Sequence, residues 1–215
     1  MAVSEIANPG RERILGRIRK ALREKTVLPT ATVKPLFAPV ANRLQRFLDE
    51  CRANITETVV TRDAAETCAK LRAVLAELPY GEIFAEDTPE IRNLLQGFRG
   101  DLRWSSEGPP AESSQATITR CHALVALTGS ILTSSLCGGR GGSVVAPVHV
   151  VIARESQVVP DLESALKVVA DEGLPEAASY VGLITGCSRT GDIEKQLVVG
   201  AHGPLKVIVI IEAIP

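Results

Sequence analysis

Residues 186–204, GCSRTGDIEKQLVVGAHGP, lie between two short apolar runs at 180–184 and 207–211. Both runs are continuous and rich in Val and Ile, without polar alternation, the pattern of strands buried on both faces. Between them Ile193 and Leu197 fall one helical turn apart and Gly200 offers a stop, so the spacing predicts a helix. Strand, helix and strand in about thirty residues is enough chain for a right-handed parallel crossover. That unit restricts the fold to an α/β class. It also sets Ser188, Arg189 and Thr190 where a strand's carboxyl end meets a helix's amino end. Open α/β sheets bind ligands at such junctions. Free backbone N–H groups, hydroxyls and a guanidinium there suit an anion.

Upstream, the same alternation repeats. A helix is expected over 44–51, with Phe47 and Leu48 inward, then a strand over 56–61. Arg62 and Asp63 open a helix to Leu78, whose Ala64, Cys68, Leu71, Leu75 and Leu78 keep the helical period. A strand at 82–85, a helix from Thr88-Pro89 and a short strand at 102–104 follow. Pro160 and Asp161 begin a further helix, with Leu162, Ala165, Leu166 and Val169 expected inward. The pattern predicts a three-layer α/β domain on a mainly parallel sheet.

The N-terminal part reads differently. Asn8-Pro9 starts a helix with an apolar stripe at Ile14, Leu15, Ile18 and Leu22 and a basic opposite face. Such a helix packs on its own subunit or a neighbour, or meets an acidic partner or membrane surface. Pro29, Pro35 and Pro39 then impose an extended linker. The expected division is an arm and linker over 1–40 and a domain over 41–215.

A net charge of −1 gives no electrostatic footprint for nucleic acid, and 3% aromatic residues leave few stacking platforms. No apolar run reaches the length of a membrane span and the N-terminus lacks a signal-peptide core, so a cytoplasmic location is expected. The five cysteines, at 51, 68, 121, 137 and 187, contain no CxxC. They offer no ready zinc or iron–sulfur cage and read as buried thiols of a reducing compartment. No metal site is expected.

Three segments in order carry a resemblance to a known family. The first is residues 116–135, an Ala-rich strand, the turn Thr128-Gly129-Ser130 and a second apolar strand. The second is the run beginning Ala146-Pro147-Val148-His149. The third is the opening stretch, with Gly186, Ser188 to Thr190, Asp192 to Glu194, Leu197, Gly200 and His202 to Pro204. Together they resemble the LUD-domain family of the lactate utilization protein C type. The chain departs from it at Cys187, where the family usually has Pro, and at Leu127, where it often has Glu. The resemblance implies an architecture like that of ribose-phosphate isomerase, glucosamine-6-phosphate deaminase and CoA-transferase-like proteins. It implies a role in oxidising L-lactate to pyruvate, as a component without a cofactor of its own beside companion proteins that carry iron–sulfur clusters. A homo-oligomer is left open.

The candidate ligand-binding residues are Ser188, Arg189, Thr190, Gly138, Gly139, Arg140, Thr128, Gly129, His149 and His202. Residues 136–143, LCGGRGGS, set four glycines around Arg140 and read either as a flexible hairpin loop or as an anion cradle. His149 reads as a ligand or as a satisfied core histidine. A helix of nine residues is about 13 Å long, which would hold His202 and Ser188 at opposite ends and counts against a Ser–His pair. No catalytic residue is assigned. The second reading is a stand-alone enzyme or sensor that binds a phosphorylated or CoA-linked small molecule.

Overall fold

The computed structural model describes residues 9–23, 38–191, 197–199 and 203–213. The chain divides into two units, residues 1–38 and 39–215. In the first, α1 (Pro9–Ala21) carries Glu12 in its first turn and Arg19 and Lys20 in its last, charges that complement the helix dipole. Ile14, Ile18 and Leu22 along its apolar stripe are exposed. Among the described residues, no helix is long and apolar enough to cross a membrane.

The second unit runs α2 (Arg43–Ala53), β1 (Glu57–Thr61), α3 (Ala64–Ala76), β2 (Ile83–Ala85), α4 (Pro89–Leu94) and β3 (Leu102–Trp104). It continues with β4 (Ala116–Thr119), β5 (Ala123–Val125), β6 (Ser130–Ser134), β7 (Val148–Arg154) and β8 (Val158–Val159). The last part is α5 (Leu162–Asp171), α6 (Leu174–Ala177), β9 (Val181–Ile184), β10 (Arg189–Gly191), β11 (Leu197–Val199) and β12 (Lys206–Glu212).

Helix starts follow local chemistry. Asp63 caps α3 by accepting from the Glu66 N–H at 2.8 Å, and Asp161 caps α5 from the Ser164 N–H at 2.8 Å. Thr88 caps α4, with Pro89 filling a first-turn position where no N–H is needed.

Six strands form a parallel sheet in the order β1-β12-β7-β4-β2-β3. One face, with Ile83, Ile118, Val150, Ile152, Ile208 and Ile210, packs against Leu71 and Leu75 of α3 and Ile91 and Leu94 of α4. The other, with Val151, Val207, Val209 and Ile211, meets Phe47 of α2 and Leu124 and Ile131 of a second sheet. That burial on both faces is what the apolar run at 207–211 encodes. The second sheet has the order β8-β5-β6-β9, and Ala165 of α5 packs on Ala123, Val125 and Leu132 within it.

Four expectations are corrected. Residues 180–184 do not form a strand buried on both faces: β9 is the edge strand of the smaller sheet, and Leu183 is exposed. Where the sequence predicts a helix after Arg189, residues 189–191 and 197–199 pair as antiparallel strands, with Arg189 opposite Val199, Thr190 opposite Val198 and Gly191 opposite Leu197; residues 192–196 lie outside the described residues. Val198 and Val199 favour the strand, and the four-residue spacing of Ile193 and Leu197 does not outweigh them. No parallel crossover joins β9 to β12, because they lie in different sheets. On α5, Leu162 and Leu166 are exposed while Ala165 is buried. The inward stripe is therefore narrower than the expected one.

Candidate functional site

The sheet's connectivity reverses between β2 and β4. From β2 the chain steps outward to β3, while β4, β7 and β12 step the other way. Ligands of open α/β sheets sit outside the strands' carboxyl ends at such a reversal. Here the residue after β2 is Glu86 and the residue after β4 is Arg120.

These two are locked together. Glu86 is 2% exposed. Its Oε2 accepts the Arg120 backbone N–H at 2.7 Å, and its Oε1 accepts from Arg120 Nε at 3.2 Å and Nη2 at 2.8 Å. Burial disfavours the charge on Arg120, but the bond to Glu86 and its charge outweigh this and raise the guanidinium pKa. A guanidinium has five N–H donors, and Glu86 occupies one on Nε and one on Nη2. The side chain of Arg120 is 43% exposed, at the carboxyl ends of β2 and β4.

The glycine-rich loop roofs this point. Gly138 has φ +79°, and a Cβ there would stand 3.2 Å from Thr119 Cγ2 and 3.3 Å from Phe84 Cε1. Glycine is required both by that backbone angle and by the close approach to the ends of β2 and β4. Beneath, His149 is fully buried, with Nε2 2.9 Å from Thr119 Oγ1. Its Nδ1 and the neighbouring Thr117 Oγ1 have no hydrogen-bond partner among the described residues. Burial pushes the His149 pKa down to about 4, so the imidazole is neutral near pH 7.

The residues singled out in the sequence fall in separate places. Thr128, Gly129 and Arg189 converge on the carboxyl end of α2, Thr128 and Arg189 at Asn54 and Gly129 at Glu50 and Cys51. Arg189 Nη2 donates to the Asn54 carbonyl at 2.8 Å, and Asn54 Nδ2 donates to the Thr128 carbonyl at 2.9 Å. Gly129, with φ +65°, lies so near α2 that a Cβ would come within 2.9 Å of the Glu50 carbonyl carbon. The guanidinium of Arg189 thus meets the negative end of a helix dipole, where the crossover reading had expected a helix amino end. Gly138, Gly139 and Arg140 belong to the roof loop, where Arg140 donates to Ser179 Oγ at 3.1 Å and to the Ser179 carbonyl at 2.8 Å.

Ser188 donates its N–H to the Pro204 carbonyl at 2.9 Å and lies against Gly203. Thr190 sits in β10, and His202 lies outside the described residues. Glu86 and Arg120 were missed. The available signal was a charged residue directly after each of two apolar strands, but nothing local says that two such strands are neighbours.

Comparison with known proteins supplies the family. Residues 109–211 match the LUD domain. The chain is 31% identical over 196 residues to lactate utilization protein C of Bacillus subtilis, covering 80% of each chain. It is 31% identical to the protein of that name from Anoxybacillus flavithermus, over 79% of this chain and 80% of that one. With the Halalkalibacterium halodurans protein the identity is 28% over 92% of both. A DUF162 family protein of Deinococcus radiodurans shares the fold, with a TM-score of 0.59 at 18% identity, over 80% of this chain and 96% of that chain. Identity of this extent over four fifths of both chains, together with the LUD-domain match, places the chain in the LUD-domain family.

Proposed function

We propose that the chain takes part in lactate utilization, as a component of an L-lactate-oxidising system that works beside iron–sulfur companion proteins and holds no cluster itself. The observation that carries this reading is the 31% identity to lactate utilization protein C across four fifths of both chains. In the same proposal the crevice at Arg120 receives a small carboxylate, the group common to lactate and pyruvate. A guanidinium pinned on one edge by Glu86 offers its other edge in a fixed orientation, and a carboxylate matches that fork. The location that goes with this reading is cytoplasmic.

The test is complementation with a tagged copy in a bacterium that lacks its own lactate utilization protein C. The expected result is restored growth on L-lactate and co-purification of cysteine-rich iron–sulfur proteins. Growth no better than with an empty vector would overturn the role. Growth without co-purified partners would overturn the complex and leave the role standing.

A further inference from the structure

Next to the crevice lies a relay that the lactate reading does not use. Glu172, at the end of α5, places Oε2 2.5 Å from His122 Nδ1. On the other side of the ring, His122 Nε2 is 2.8 Å from Ser134 Oγ and 3.4 Å from Cys137 Sγ. A carboxylate only accepts, so Glu172 holds the proton of neutral His122 on Nδ1 and leaves the Nε2 lone pair facing the hydroxyl and the thiol. Ser134 Oγ already accepts the Leu136 N–H at 3.1 Å. The thiol is the softer and stronger nucleophile of the two.

The elements that meet here are unrelated in sequence. His122 precedes β5, Ser134 ends β6, Cys137 opens the glycine-rich loop and Glu172 caps α5. Base and carboxylate stand in series across the ring. Among the described residues no group of His, Cys, Asp and Glu is arranged to hold a metal ion. Among the charged and titratable neighbours, Arg120 interacts with Cys137, and Cys121 with Cys137 and Glu172.

We propose that Cys137 is a nucleophilic thiol served by His122 as general base, with Glu172 as the orienting carboxylate, and that it exchanges with small disulfides. In the step, Cys137 Sγ attacks one sulfur of the disulfide while its proton passes to His122 Nε2. The new bond joins Cys137 to that sulfur, the old S–S bond breaks, and the departing thiolate takes the proton from His122. The product is a mixed disulfide on Cys137 and one free small thiol, with no net change in oxidation state. Cys137 is 4% exposed, so the probe is a small disulfide. Hydroxyethyl disulfide fits that description. The proposal stands apart from the lactate reading.

The other cysteines provide internal controls. Burial raises the thiol pKa of Cys51 to about 12 and raises that of Cys121 as well. Cys68 is more open than Cys137, but its Sγ donates to the Leu94 carbonyl at 3.2 Å rather than to a base. The experiment treats the full-length protein with hydroxyethyl disulfide and follows each cysteine by peptide mass spectrometry across pH.

Cys137 should react first, ahead of the more exposed Cys68. The H122Q variant should slow it at least about tenfold near neutral pH and give a rate that climbs about tenfold per pH unit. Glu172→Gln, at a half-exposed position that tolerates the change, should slow Cys137 and move its pH profile down, because the His122 pKa is raised by its hydrogen bond to Cys137 and, beside it, by Glu172. Cys68 reacting before Cys137, or equal Cys137 rates in wild type and E172Q, would overturn the proposal.

Discussion

His149 is a fully buried imidazole whose folded pKa of about 4 lies well below its ordinary 6.5. Between those values the unfolded chain binds a proton and the folded chain does not. Stability therefore rises with pH through this window and is lost as pH falls from about 6.5 toward 4. Each unit of difference is worth about 1.4 kcal/mol, so the full gap amounts to about 3 kcal/mol at its acid end. The perturbation is His149→Gln, which keeps a group able to bond Thr119 Oγ1 but cannot be protonated. Urea unfolding of both proteins, at steps from about pH 7 to pH 4, gives the difference in stability. Subtracting the two curves cancels every other titrating group. The variant, less stable near neutrality through imperfect packing, should lose less on acidification, and the curves should converge by about 3 kcal/mol. Parallel curves would refute the reasoning, as would an imidazole NMR titration with a midpoint near the ordinary value.

Other positions give independent tests. Arg120→Met leaves the Glu86 carboxylate buried without its partner and should cost about 3 kcal/mol in urea unfolding, much of it recovered in the E86Q/R120M double variant. Gly129→Ala introduces a Cβ at φ +65° against the Glu50 backbone and should lower stability by at least about 2 kcal/mol, seen as a fall in Tm. Arg189→Ala removes one hydrogen bond to the Asn54 carbonyl and should cost about 1 kcal/mol by chemical denaturation. Phe47→Ala opens a cavity between α2 and the large sheet and should cost about 3 to 5 kcal/mol by the same assay.

Much of the fold was legible because its determinants are local. Asp63, Thr88-Pro89 and Asp161 announced three helix starts, and the unbroken Val and Ile of β12 announced a central strand. The misreadings share a cause. Residues 180–184 and 207–211 have similar composition, yet one run pairs at an edge and the other between β1 and β7. Composition does not encode which neighbours a strand finds. At Leu197 a four-residue apolar spacing competed with two β-branched residues, and the pairing of β10 with β11 decided it.

The site was harder to read. Glu86 and Arg120 are 34 residues apart in sequence and meet only because β4 inserts beside β2. Arg189, conspicuous between two hydroxyl residues, is occupied by the end of α2, a helix more than a hundred residues earlier. Gly138 was visible as part of a permissive loop, while the surface it covers was not.

The most direct measurement is growth on L-lactate of the complemented strain carrying Arg120→Lys, with Tm recorded in parallel. Lysine preserves the charge opposite Glu86 but lacks the planar fork. Function through carboxylate recognition at Arg120 predicts a protein folded within a few degrees of wild type, with growth reduced at least about tenfold. Full growth of the Lys variant, with wild type also growing, would contradict the carboxylate site.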